Sequence, residues 1–144
     1  MKTNKQCKYF KLAELLAPEY FEDQIASWIL IDDRLKVNLD WLREKLGVPL
    51  TINNYSYTKS KNPKYIRRYS GLRPMNCKIG AKNSRHKYGL AADIISNAIT
   101  ASSMRKFLKD HASEIPYPIR VEQGVNWLHM DVDNPSKKII YFKA

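Results

Sequence analysis

The most regular apolar pattern in the chain is Leu35, Leu39, Leu42 and Leu46, spaced four, three and four residues apart. That spacing draws one stripe down a helix. Asp32 and Asp33 stand where a helix is capped, and Gly47 and Pro49 stand where one ends. Upstream, "FKLAELLAPEYFEDQIASWIL" reads as two helical pieces broken near Pro18, with Phe21, Ile25, Trp28 and Ile29 facing the core. Further on, "ASSMRKFLKDHA" reads as a helix with Met104, Phe107 and Leu108 inward. Other stretches read as strands. Leu50 and Ile52 alternate in "LTINNYSY", "GLAADII" is a short buried run, and "PIRVE", "WLHMDV" and "KIIYF" follow late in the chain. Between Thr58 and Asn83 there is no period, and a loop of that length is usually functional or disordered. Helices early and strands late predict an α+β fold, and no repeat or linker divides residues 1–144, so one domain is expected.

Composition narrows the function classes. Hydrophobic residues make up 44% of the chain, enough for a core, but no run is long enough to span a bilayer. No apolar stretch follows the basic start "MKTNKQCKYF", so the expectation is synthesis in a cytoplasm without a signal peptide. Cys7 and Cys77 lie far apart and in no paired motif, which predicts free thiols. The net charge of +11 attracts polyanions, whether nucleic acid, an acidic membrane surface or a bacterial wall, and it equally serves solubility. The densest basic run, "KSKNPKYIRRY" (Lys59 to Tyr69), reads either as a nucleic-acid groove or as a solvated loop over a cleft.

The chain has three histidines, and two of them sit beside carboxylates in strand-like sequence. In "GLAADII", Asp93 shares a face with Ala91 and Ile95, with His86 just upstream. In "WLHMDV", Trp127, His129 and Asp131 share one face, while Leu128, Met130 and Val132 take the other. His86, Asp93 and His129 would make a three-ligand zinc site whose open position serves to activate water. Ordinary His–Asp hydrogen bonds in a polar cleft would produce the same pattern. His111, alone on a helix, is given no role.

"SRHKYGLAAD" has the form SxHxxGxAxD, and "WLHMD" has the form WxHxD. Together they resemble the zinc peptidases related to D-alanyl-D-alanine carboxypeptidases, bacteriophage L-alanyl-D-glutamate endopeptidases and the hedgehog signalling domain. "YSGLRPMNCKIGAKN" is similar to the family's upstream stretch. The resemblance implies an antiparallel sheet carrying one zinc ion and flanked by helices. It makes His86, Asp93 and His129 the ligands, Arg73 the arginine that holds substrate and polarises the scissile carbonyl, and Ser84 the motif serine beside the ligands. Many relatives keep a catalytic acid three residues before the last histidine, where this chain has Asn126. Glu122 and Asp131 remain as candidates for the general base. If Glu122 and Trp127 close the "QGVN" hairpin, Arg120 lies opposite His129 and Glu122 lies diagonal to it. Asp131 would instead orient a ligand.

The function implied is hydrolysis of a peptide bond in the peptidoglycan stem, by an endopeptidase or a D-Ala-D-Ala carboxypeptidase. The small size resembles a bacteriophage endolysin or tail enzyme that reaches the cell wall after release or in a phage particle. Anionic wall polymers are the further partners expected. The alternative is a zinc-binding, hedgehog-like interaction module for the wall. Nucleic-acid binding ranks below both.

Overall fold

The computed structural model describes residues 1–143. Its longest helix is the one the leucine stripe predicts. After two short pieces, α1 (Leu12–Leu15) and α2 (Pro18–Glu22), α3 runs over Asp33–Leu46. Asp32 caps it by accepting from the Arg34 amide at 2.9 Å, and Gly47 closes it at φ 66°. Leu35, Leu39 and Leu42 are fully buried in one core cluster with Leu15, Ile52, Met104, Leu108 and Met130. Each such leucine contributes roughly 2 kcal/mol of burial. α4 (Ala101–Asp110) adds Met104 and Leu108 to that core and is capped by the Thr100 side chain.

Four short strands form one sheet: β1 (Ala91–Ile94), β2 (Ile119–Glu122), β3 (Leu128–Asp131) and β4 (Ile139–Phe142), in the order β1-β3-β2-β4. The fold is therefore α+β, but the sheet is mixed rather than antiparallel. β3 pairs antiparallel with both β1 and β2, whereas β4 pairs parallel with β2. The cause is occupancy. Both edges of β3 are already taken, so the chain reverses after Val132 and docks one strand further out, beside β2. The strand alternation holds. Leu128, Met130 and Val132 enter the core, and the opposite face carries Asp93, His129 and Asp131.

Two further expectations need correction. Phe21, Ile25 and Ile29 are 41%, 57% and 47% exposed, not core. The helix stops at Glu22, Gln24 takes φ 58°, and Trp28–Leu30 is only a 3-10 turn, so their helical spacing has no helix beneath it. Of that set, Trp28 alone packs on the core. "LTINNYSY" makes only an isolated bridge, Thr51 to Ile95, although Leu50 and Ile52 are buried. Both cysteines are free, and no described helix is long and apolar enough to cross a membrane.

Candidate metal centre

Each fixed position of SxHxxGxAxD has a physical task. Ser84 opens a 3-10 turn (Arg85–Tyr88), its hydroxyl accepting from the His86 amide at 3.3 Å. Gly89 leaves that turn at φ 70°, where a Cβ would collide with the Leu30 carbonyl oxygen. Ala91 is buried on β1 opposite Asp131, and Asp93 lies opposite His129. A turn ending in a left-handed glycine thus aims His86 back over the strand that carries Asp93.

Three atoms converge there. His86 Nε2 lies 3.3 Å from His129 Nδ1 and 3.2 Å from Asp93 Oδ1, and His129 Nδ1 lies 2.9 Å from Asp93 Oδ1. All three residues are buried. Tetrahedral zinc with bonds of 2.0–2.1 Å sets its ligand atoms about 3.3 Å apart. The outer nitrogens fix the tautomers. His86 Nδ1 donates to the Gly71 carbonyl at 2.9 Å, and His129 Nε2 donates to Asp131 Oδ2 at 2.9 Å. With those protons outward, two bare nitrogens and a carboxylate oxygen face one point. Such a cluster needs a cation, either a metal ion or an extra proton, so the donor set fits a divalent metal.

The electrostatics agree. Burial alone would lower the pKa of His129, but its bonds to Asp131 and Asp93 outweigh that and raise it to about 9. Burial would raise Asp93 and Asp131, but hydrogen bonds from the histidines, and from Arg120 to Asp131, hold both below the usual carboxylate range. In the absence of metal these bonds favour the protonated form of His129.

The remaining expected residues border the same cleft of ≈ 270 Å³, with Ser84, Arg73, Glu122 and Asp131 all in its wall. Arg73 is buried. Its Nη2 lies 3.3 Å from Asp93 Oδ2, while Nε and Nη1 donate to the carbonyls of Tyr69 and Ile79. Asp131 is fully buried and saturated, accepting from Arg120 Nε at 2.8 Å, Arg120 Nη2 at 3.1 Å, His129 Nε2 and the Asp133 amide. Glu122 is half-buried, and its carboxylate has no hydrogen bond or ion pair among the described residues.

The hairpin register differs by two residues from the expected one. Arg120 pairs with Asp131 and Val121 with Met130, so the next step brings Glu122 level with His129 rather than diagonal to it. Arg120 accordingly binds Asp131 and leaves Glu122 alone.

Sequence reasoning missed three contributors. Gly71 acts through its carbonyl, which no side-chain motif encodes. Arg67, inside the basic run, turns inward to the carbonyls of Ile52 and Asp93, and burial lowers its pKa. Phe142 of β4 stands in the cleft wall against His129, and only the parallel register of β4 puts it there. The chain matches no protein-family model, no curated protein and no solved structure, so the character of the centre rests on its own geometry.

Proposed function

We propose that His86, Asp93 and His129 hold one divalent ion, zinc by donor type, and that the protein hydrolyses a peptide bond in the peptidoglycan stem. The observation that carries this reading is the convergence of the three ligand atoms, with both outer imidazole nitrogens engaged. A bound zinc ion supplies Lewis acidity, acidifying water and polarising a carbonyl. The chain's own groups do the rest. Glu122, unengaged and level with His129, takes the proton from the attacking water on its carboxylate and delivers it to the leaving amine nitrogen. Arg73, fixed beside Asp93, places positive charge where the carbonyl oxygen becomes negative. Ser84 holds the His86 turn at the cleft edge. The fold is read as hedgehog-like and DD-peptidase-like on the two motifs, and the net charge of +11 suits an acidic wall reached after release or on a phage particle.

A second reading is a zinc-binding interaction module for the wall. Asn126, an amide where many relatives keep an acid, favours it. Purified muropeptides incubated with the zinc-loaded protein, with products read by mass spectrometry, decide between the two. The peptidase reading expects new stem fragments whose masses name the bond cut. No cleavage across several wall types, with zinc bound, favours the interaction module.

A further inference from the structure

Asp93 pairs with His129 and Glu122 with Phe142, and continuing the Arg120–Asp131 and Val121–Met130 register by one residue sets all four in one transverse row, one from each strand. β4 lies two strands from β3, about 10 Å by ordinary strand spacing. The Phe142 ring nevertheless meets the His129 imidazole edge-on, with centroids 5.6 Å apart and planes at 89°. It leans across β2 to do so. On the way it lies under Arg120, whose guanidinium carbon is 4.6 Å from the ring centre. Arg120 clamps both oxygens of Asp131, and Asp131 holds His129 Nε2. Four side chains from three strands therefore close a ring: Phe142, Arg120, Asp131, His129.

We propose that Phe142 is a positioning residue for the metal centre, and that metal binding and docking of β4 on β2 are thermodynamically linked through it. The inference rests on the reading of His86, Asp93 and His129 as metal ligands. β4 is an edge strand whose side chains are half-buried or exposed, and it joins the sheet only through β2. Edge elements of this kind open at lower cost than core strands. When β4 opens, His129 loses its ring neighbour and Arg120 loses the π face that orients it. A ligand that needs His129 in place favours docked β4, and docked β4 favours the ligand by the same factor.

The test uses the full chain, with zinc and cobalt(II) as probes. Phe142→Ala should weaken zinc binding on the order of tenfold, the lower end of what outer partners of metal ligands contribute. It should also alter the visible bands of the cobalt form. Phe142→Tyr, which keeps the ring, should restore both, and Phe142→Leu should not. Hydrogen exchange of the unmutated chain gives a second readout that needs no variant. Zinc should slow the amides of Ile140 and Phe142, and that of Gln123, which donates to the Phe142 carbonyl at 2.7 Å. Equal affinity and an unchanged cobalt spectrum in Phe142→Ala overturn the proposal alone, as does zinc protection confined to β1 and β3. An unmutated chain that takes up neither metal overturns the metal reading and this inference with it.

Discussion

Asp131 accepts the Nε2 proton of His129 at 2.9 Å while Arg120 grips both of its oxygens. Alternation in WxHxD puts the two side chains on one face, and the carboxylate settles which imidazole nitrogen stays bare. Asp131→Asn keeps the shape but removes the charge that makes His129 a strong donor. Zinc affinity is expected to fall about 10–100-fold. Competition titration against a chromophoric chelator measures it, and an unchanged affinity would show that His129 is held without Asp131.

The raised His129 pKa predicts a pH signature for the metal-free protein. His129 is raised to about 9, above its ordinary value near 6.5. A raised folded pKa stabilises fully below the unfolded value and is lost as pH rises through the folded one. Asp93 is depressed, so its contribution is present above about pH 4 and is lost on further acidification. Denaturant midpoints of the metal-free chain should therefore decline from pH 6.5 to pH 9. Zinc should remove much of that decline and release about one proton near pH 7, read by calorimetry in buffers of different ionisation enthalpy. A metal-free stability that climbs over the same interval contradicts the assignment.

Gly89 and Gly47 form a matched pair. Both have left-handed φ, 70° and 66°, but a Cβ at Gly47 meets open space and one at Gly89 meets the Leu30 carbonyl oxygen. Gly47→Ala should cost about 1 kcal/mol of backbone strain. Gly89→Ala should cost more, about 2–4 kcal/mol, because backbone must move as well. It should also weaken zinc binding, since the turn aims His86. Chemical denaturation of both variants separates strain from close approach, and equal losses would remove the packing explanation for the motif glycine.

The parts of the centre legible in the sequence were those encoded by side chains at fixed short offsets. Ser84, His86, Gly89, Ala91 and Asp93 lie within one turn and one strand, so local geometry alone relates them. His129 and Asp131 were legible through alternation. Gly71 was not, because its contribution is a carbonyl delivered by a segment without periodicity, tied to the site where the Asp93 amide donates to Ser70. Phe142 was hidden for another reason. Its position depends on β4 docking parallel to β2, a long-range choice that "KIIYF" does not state. The misread Phe21, Ile25 and Ile29 show the converse, since apolar spacing has meaning only where the backbone supplies the matching period.

Glu122 and Asp131 were both candidates for proton transfer on sequence, Glu122 the first of them, and their surroundings differ. A group that shuttles a proton must be free to accept it. Asp131 is fully buried with its oxygens occupied, whereas Glu122 borders the cleft unengaged and level with His129. Glu122→Gln removes the basic oxygen with little change of shape, and the Glu122 carboxylate makes no hydrogen bond to His86, Asp93 or His129 among the described residues. Zinc affinity should stay within about threefold of the unmutated chain, while muropeptide cleavage falls about 10²–10⁴-fold. Asp131→Asn should show the reverse emphasis, with weaker zinc binding and activity that recovers as zinc is raised. Cleavage time courses at saturating zinc distinguish the two. If Glu122→Gln cleaves at the unmutated rate while Asp131→Asn stays inactive with zinc bound, proton transfer belongs to Asp131 and its bond to His129 must break during turnover.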